Sequence, residues 1–232
     1  TKVTIDNIRL QEVAQFAPDK STNTNNAKLF TGKALSFNGN DYVSGLPSPT
    51  SQMTLSLWVH PTSSAKGGLI TWDNSGGNHD YDFVLFRNAS GKLVAKWDTD
   101  TVDGTEVTSV SNVPEDVWTR IVVSQDSNTF KMYIDGQFDV SASIPANLSG
   151  SMVGVIGRMY ANTYATENYF NGKLSDIQIY NSAWDSDDAA YDYANPNNLV
   201  TDNPNTSITL SNLSAYYALS EGSGSIAYDS SG

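Results

Sequence analysis

Short stretches in which apolar and polar residues alternate are the feature that most restricts the fold of this chain. Residues 53–60 place Met, Leu, Leu and Val on one side and Thr, Ser, Trp and His on the other. Alternation with a period of two is typical of a strand that buries one face. Segments 117–124 and 129–134 behave similarly, and the turn cluster 125–128 joins them into a predicted hairpin. Asp135-Gly136 favours a second hairpin turn.

Further strand signals are spread along most of the chain, separated by turn residues. They lie at 33–38, 41–44, 68–72, 82–87, 92–98, 105–110, 151–158 and 169–180. A strand every ~8 to 12 residues is the pattern of sandwiches and jelly rolls. Only 185–194 predicts a helix, with Asp185 or Ser186 as its N-cap. We therefore expect an all-β protein folded as an antiparallel β-sandwich.

The charge balance excludes several classes of partner. The 232 residues carry a formal net charge of −12, because 13 basic residues face 25 acidic ones. Nucleic-acid binding draws its affinity from Lys and Arg that neutralise phosphates, and anionic membranes attract the same residues, so neither partner is expected. The chain has no cysteine, which excludes disulfides and thiol chemistry. Its carboxylates remain available for a hard cation such as calcium.

The predicted organisation has four parts. Residues 1–14 are expected to form an accessory strand or the last strand of a preceding module, and 15–194 the sandwich. Residues 195–212, rich in Asn, Pro and Thr, are predicted to be a linker. Residues 213–232 either begin a following repeat or fold back on the sandwich, pairing with their own chain or with a neighbouring subunit. Because the chain starts with Thr and shows no leader pattern, we expect a processed product or a segment of a longer protein.

Three motifs carry a family resemblance. Residues 32–43 read GKALSFNGNDYV, residues 53–61 contain TLSLWVHP, and residues 170–181 read FNGKLSDIQIYN. In order and spacing they resemble the opening, core and closing strands of laminin-G-like, concanavalin-A-like domains. The tail, with LSAYYALSEGSG and then YDSSG, resembles the first strand and loop of another such domain. The resemblance implies a concanavalin-A-like jelly roll.

This resemblance also implies a setting and a function. Similar domains occur in tail, fibre and decoration proteins of marine bacteriophages and in secreted adhesins, so we expect an extracellular or virion-surface location. The first hypothesis is a non-enzymatic virion or adhesion module that contacts glycans or host-surface polysaccharide, other subunits, and a second copy of itself. The alternatives are a carbohydrate-binding module of a secreted polysaccharide-active enzyme, and a glycoside hydrolase or lyase of the same fold.

Catalysis is the least favoured alternative on the residues themselves. A retaining glycosidase needs two carboxyl groups about 5–5.5 Å apart. The five glutamates lie far apart in the sequence, and the nearest approaches to a pair are Asp80 with Asp82 and Asp98 with Asp100. Both pairs fall in predicted turns or strand ends, where solvated aspartates are ordinary. We therefore expect no enzymatic activity.

Calcium is the cofactor that the resemblance implies. Related domains hold a calcium ion between an Asp-Ser-Ser-Gly loop and an aspartate of the closing strand. Carried onto this sequence, the ligands are Asp19, Asn23, Asn25 and Asp176. This chain has Asp-Lys-Ser-Thr in place of that loop, and Lys20 introduces a competing cation; Asp229 could replace Asp19 if the tail folds back.

A second candidate calcium loop spans residues 73–82 and contains Asp80 and Asp82, at the position where pentraxin-like relatives hold calcium. The alternative for both loops is that their acidic residues only form turns.

Glycan binding needs exposed aromatic faces beside amides or carboxylates, because the apolar face of a sugar packs on a ring while its hydroxyls need polar partners. The candidate ligand-binding residues are Trp72, His79, Tyr81, Trp97, Tyr160 and Tyr164. For Trp72 and Trp97 a role in the core is equally open. Trp58 and Trp118 are expected to pack, and Trp184 to cap the sandwich.

Overall fold

The structure is a computed structural model, and it describes residues 16–17, 27–28, 34–73, 83–99, 102–144, 151–159, 168–219 and 227–231. The chain divides into two units, Thr1–Thr31 and Gly32–Gly232. In the first unit, strands β1 (Phe16–Ala17) and β2 (Ala27–Lys28) pair antiparallel. The predicted strand within residues 1–14 lies outside the described residues.

The second unit contains fifteen strands, one α-helix and two 3₁₀ turns among its described residues. The strands are β3 (Leu35–Asn38), β4 (Val43–Leu46), β5 (Gln52–Pro61), β6 (Gly67–Asp73), β7 (Phe83–Arg87), β8 (Lys92–Thr99), β9 (Val102–Asn112), β10 (Thr119–Asp126), β11 (Thr129–Ile134), β12 (Gln137–Ser143), β13 (Val153–Ile156), β14 (Arg158–Met159), β15 (Asn168–Tyr169), β16 (Asn171–Tyr180) and β17 (Leu213–Tyr217). Helix α1 is Ser186–Ala194, and the 3₁₀ turns are Val200–Asp202 and Leu210–Asn212.

These strands form two sheets. Sheet I has seven strands in the order β12-β11-β10-β5-β16-β17, with β3 also paired to β16. Sheet II has eight, with β6-β7-β8-β9 in sequence and β13, β4, β14 and β15 on the other side of β6. The pairings are antiparallel except for that of β15 with β6. This architecture confirms the predicted antiparallel β-sandwich.

The core lies between the sheets and is built from one side of each strand. In β5, Leu55, Leu57 and Val59 point inward, while β10 contributes Ile121 and Val123. Period-two burial follows from strand geometry, since successive side chains point to opposite faces. The predicted hairpin of 117–124 with 129–134 is present as β10 and β11, paired from Ile121↔Ile134 to Asp126↔Thr129.

Helix α1 begins where the sequence placed it. Asp185 is the N-cap, and its Oδ1 accepts hydrogen bonds from the backbone N–H groups of Asp187 (2.9 Å) and Asp188 (3.0 Å). This cap satisfies two of the amide donors that every helix leaves open at its N-terminus. Within the described residues, no helix has both the length and the apolar character needed to cross a membrane.

The C-terminal residues add a strand to sheet I. Strand β17 pairs antiparallel with β16, from Tyr180↔Leu213 to Ile177↔Tyr217. The chain then returns, and Asp229 forms a bridge with Tyr217. Strand β17 is thus paired within its own chain.

The segment 195–212, predicted to be a linker, is instead packed. Val200 and Ile208 are buried in an apolar cluster with Trp184, Ala189 and Leu213. The apolar residues of segment 195–212 have neither the spacing of a strand nor that of a helix. The polar composition of the segment therefore predicted a linker.

A buried ionic network fixes α1 to the outer face of sheet I. Asp192 of α1 binds Arg120 of β10 through two hydrogen bonds, Nε to Oδ2 at 2.7 Å and Nη2 to Oδ1 at 2.8 Å. The Arg120 Nη1 also donates to Asp176 of β16 at 2.7 Å. Ser56 of β5 donates to Asp192 at 2.7 Å. Arg120, whose side chain is 1% exposed, thus links α1 to β10 and β16. Asp192 links the helix to β5 as well.

Replacing Asp192 by Asn should destabilise the fold strongly. The substitution keeps the shape but removes a buried charge opposite Arg120, and breaking such a pair costs about 3–5 kcal/mol of unfolding free energy. Urea-induced unfolding measures the loss. The exposed Asp187→Asn in the first turn of α1 is the control and should cost about 1 kcal/mol or less. Equal effects of the two substitutions would contradict the assigned role of the network.

The stability should also fall at alkaline pH. Burial, reinforced by the carboxylates of Asp185 and Asp188, raises the pKa of Tyr133 to about 12. In the unfolded chain a tyrosine titrates near ~10. The unfolded state therefore loses this proton first, so the contribution of Tyr133 is complete below about pH 10 and is lost as the pH rises towards about 12. Across this pH range, the free energy of unfolding measured with urea should decline less steeply for Tyr133→Phe than for the parent chain. An equally steep decline in both proteins would contradict this contribution of Tyr133.

Candidate functional site

Two of the predicted ligand-binding residues belong to the core. Trp72 is 0% exposed and Trp97 is 1% exposed. The Trp72 indole donates to the Pro47 carbonyl at 2.9 Å, and Trp97 packs on Phe130 with ring centroids 4.6 Å apart. Neither ring offers a face to a ligand, so their assignment as glycan contacts was wrong.

Asp176 is already occupied by a protein cation. Its Oδ2 accepts from Arg120, and both of its oxygens accept from the Gln178 amide at 3.3 Å. Burial is the largest influence on this carboxyl and raises its pKa, which Arg120 opposes. A carboxylate that is 7% exposed and paired with a guanidinium does not fit a calcium ligand, so the metal assignment of Asp176 is corrected to a structural role.

The other predicted site residues lie outside the described residues: Asp19, Asn23, Asn25, His79, Asp80, Tyr81, Asp82, Tyr160 and Tyr164. Within the described ranges, no group of three or more His, Asp or Glu side chains could hold a metal ion. Asp229, the alternative to Asp19, instead accepts the backbone N–H groups of Tyr216 (2.9 Å) and Ser231 (3.0 Å) through Oδ1.

A cluster of two tyrosines and an arginine lies beside strands β14 and β15 of sheet II. The guanidinium carbon of Arg158 is 4.7 Å from the ring centroid of Tyr42 and 6.0 Å from that of Tyr169. Tyr42 is 49% exposed, and Arg158 and Tyr169 are half-buried. We call these three residues the Tyr-Arg cluster. Stacking a guanidinium on aromatic faces orders both groups.

Short strands hold the Tyr-Arg cluster in place. Arg158 of β14 pairs with Tyr169 of β15, and Met159 pairs with Asn168. The carbonyl of Arg158 accepts from Thr71 Oγ1 at 2.7 Å. Strands β14 and β15, which flank residues 160–167 in the sequence, are thus paired with each other.

Glycines permit the close packing of this strand pair. At Gly68 of β6, a Cβ atom would lie 2.2 Å from the Met159 nitrogen. At Gly157, where φ is +84°, a Cβ atom would lie 2.3 Å from a ring carbon of Phe37. Only glycine fits both positions, so the route of the chain from β13 into β14 depends on them.

An apolar cluster with two lysines adjoins this strand pair on the outer face of sheet II. Met159 packs with Val84, Phe86 and Val94, and the Lys66 ammonium lies 4.4 Å from the Phe86 ring centroid. Burial, followed by repulsion from Lys96, lowers the pKa of Lys66, and Glu106 opposes the shift. Cations are therefore concentrated on this face in a protein whose net charge is −12.

No local sequence pattern predicts the Tyr-Arg cluster. Tyr42 was assigned to an opening strand, and Arg158 and Tyr169 to strands on either side of a predicted ligand loop. The available signal was the pair of candidate tyrosines, Tyr160 and Tyr164, between the predicted strands 151–158 and 169–180. The convergence of Arg158 and Tyr169 with Tyr42 depends on the register of β4 against β13, where Ile156 pairs with Val43, and no local pattern specifies that register.

The two-sheet architecture defines a lectin-like β-sandwich fold. The family profile of the concanavalin A-like lectin/glucanases superfamily matches residues 36–190. The chain belongs to this superfamily, as the motifs at 32–43, 53–61 and 170–181 indicated. A search of curated proteins found no match.

Solved structures of similar fold include several carbohydrate-binding domains. A CBM40 domain of the Ruminococcus gnavus IT-sialidase, bound to α2,3-sialyllactose, is 15% identical with a TM-score of 0.57, covering 68% of this chain and 95% of that one. Domain 4 of an extracellular GH43 arabinanase from Geobacillus stearothermophilus, in complex with arabinotriose, is 16% identical with a TM-score of 0.55, covering 78% and 82%. A heptameric SAP-like pentraxin from Limulus polyphemus is 16% identical with a TM-score of 0.56, covering 72% and 84%. At these identities the likeness establishes the fold.

Replacing Gly68 by Ala should displace β14, which carries Arg158 of the Tyr-Arg cluster. The new methyl group overlaps the backbone of Met159, and overpacking of this kind costs about 1–3 kcal/mol. Thermal unfolding should show a lower Tm. At the neighbouring Gly67 a Cβ atom would come no closer than 3.0 Å to another atom, so Gly67→Ala should be the milder change. A larger fall in Tm for Gly67→Ala than for Gly68→Ala would contradict the importance of the close contact between Gly68 and Met159 of β14.

Proposed function

We propose that this chain is a non-catalytic module that binds glycans through the Tyr-Arg cluster, with Tyr160 and Tyr164 as further candidate contacts. The observation that carries the proposal is the stacked arrangement of Arg158 with Tyr42 and Tyr169. An exposed ring packs against the apolar face of a sugar, and a fixed guanidinium donates several hydrogen bonds to hydroxyl or carboxylate oxygens.

The comparisons support a carbohydrate ligand. Two structural neighbours are named as domains bound to oligosaccharides, sialyllactose in one and arabinotriose in the other. The Arg158 guanidinium would favour a sugar that carries a carboxylate over a neutral one at the Tyr-Arg cluster.

The non-catalytic part of the proposal rests on how the described carboxylates are used. Asp176 and Asp192 approach the same point, but both bind Arg120 inside the protein. Paired carboxylates that are neutralised in this way hold strands and helix together and are not accessible to a substrate. The neighbours named as binding domains, one of them part of an extracellular enzyme, support the same proposal.

The biological setting belongs to the proposal as well. A glycan-binding module of this kind fits a secreted adhesin, a virion surface, or an appendage to a polysaccharide-active enzyme. The candidate calcium ligands that remain in this proposal are Asp19, Asn23, Asn25, Asp80 and Asp82, whereas Asp176 is paired with Arg120.

The test is glycan binding by the purified chain, measured by isothermal titration calorimetry with sialyllactose, arabinotriose and longer acidic and neutral oligosaccharides. We expect at least one to bind, and Tyr42→Ala and Arg158→Gln each to weaken it about tenfold or more, as loss of a stacking face or a charged donor does. Circular dichroism checks that both variants fold.

Phe138→Ala is the matched control. Phe138 is an exposed aromatic residue on β12, in sheet I, and its removal should leave the affinity unchanged. The proposal fails if no glycan binds, or if the Tyr42 and Arg158 variants bind as tightly as the parent chain.

A further inference from the structure

One open side of the sandwich lies between the edge strands of the two sheets. Among the described strands, β12 is the last strand of sheet I and β9 is the last strand of sheet II, and the two lie against each other. An edge strand has a row of backbone N–H and C=O groups that no neighbouring strand of its sheet binds. Such a row can pair with a strand of another molecule.

A single carboxylate on β12 binds the edge of β9. Asp139 Oδ1 accepts the backbone N–H of Val110 at 2.6 Å, and Asp139 Oδ2 accepts that of Ser111 at 2.7 Å. Hydrogen bonds from amides to an ionised acceptor are shorter and stronger than those between neutral groups. Asp139 therefore joins sheet I to sheet II across the open side.

Irregular pairing on both strands allows this contact. Strand β12 has an extra residue, Asp139, opposite the step from Met132 to Tyr133 of β11. Strand β9 has three residues, 109–111, opposite Leu93 of β8. A β-bulge changes the direction of the side chains and backbone groups next to it. The bulged residue of sheet I thus meets the bulged segment of sheet II.

Side chains also bind the carbonyl groups of this segment. The Val110 carbonyl accepts from the Lys92 ammonium, and the Ser111 carbonyl accepts from Ser109 Oγ at 2.7 Å. Together with the two N–H groups bound by Asp139, all four backbone polar groups of Val110 and Ser111 have a side-chain partner. A strand of another molecule would have to displace these partners before it could pair here.

The side chains beside this contact would otherwise favour association. Val110 is 70% exposed and Phe138 is 57% exposed. Exposed β-branched and aromatic residues at an open sheet edge promote pairing between molecules. Asp139 is the only charged residue of β12, so the protection of this edge depends on it.

We infer that Asp139 is an edge lock that keeps β9 and β12 from pairing with the edge strands of a second copy of this chain. Bulges and charged side chains at sheet edges are general means of avoiding edge-to-edge association, and Asp139 supplies both. The inference goes beyond the proposed function, because no residue of the Tyr-Arg cluster takes part in the lock.

The test compares the full chain with Asp139→Ala and Asp139→Lys by amide hydrogen exchange at low protein concentration. In both variants the Val110 and Ser111 amides should exchange about tenfold faster or more, because each loses a hydrogen bond to a charged acceptor. Analytical ultracentrifugation over a range of concentrations then measures association. Asp139→Ala should associate more than the parent chain, whereas Asp139→Lys should not, because a charge at the edge still opposes strand addition.

Asp126→Ala is the charge-matched control. Asp126 is an exposed aspartate at the end of β10, and it accepts from the Gln52 side chain rather than from a backbone group of the other sheet. We expect this variant to match the parent chain in the exchange of Val110 and Ser111 and in its association.

Three results would overturn the inference. They are parent-like exchange of both amides in the Asp139 variants, no additional association of Asp139→Ala, and equal association of the Ala and Lys variants, which would indicate a general loss of stability. Asp139→Asn keeps the shape and one acceptor oxygen, and it replaces Asp139→Ala if that variant does not fold. It should release at least one of the two amides and associate more than the parent chain; no change in either would equally refute the lock.

Discussion

The arrangement of helix α1 on the sandwich depends on a single buried guanidinium. Arg120 receives Asp192 from the helix and Asp176 from the closing strand, and Ser56 completes the shell of Asp192. Isolated buried charges are very costly, so the network is favourable only when every member is present. The position of α1 depends on this network. The burial of the polar outer face of sheet I and the packing of segment 195–212 therefore depend on the network too.

The two outer faces of the sandwich consequently differ in chemistry. On sheet I, α1 and the residues beside it cover polar side chains of β5, among them Thr54 and Ser56. On sheet II, aromatic rings lie beside cations, Tyr42 beside Arg158 and Phe86 beside Lys66.

Alternation in the sequence was sufficient to predict the sheets, since one buried face imposes a period of two. It also contained information about Trp97 that the ligand assignment overlooked. Leu93, Ala95 and Trp97 occupy alternate positions, and Leu93 and Ala95 are plainly inward residues. The position of Trp72 could not be predicted in this way. Strand β6 is buried along almost its whole length, so its residues do not alternate between buried and exposed. Asp176 was misassigned for another reason: its partner Arg120 is 56 residues away, and no local pattern connects the two.

The sequence by itself determined the class of fold, the main hairpins, the start of the helix and the family, because these follow from local alternation, turn residues and capping chemistry. Tertiary structure alone decided which polar residues are buried together and which aromatic residues remain at the surface. The outer face of β5 illustrates the difference. Thr54 and Ser56 have the polar character of an exposed face, yet both are fully buried under elements that lie more than a hundred residues later in the chain. Strand periodicity specifies two faces, but only packing against distant segments decides which of them meets water.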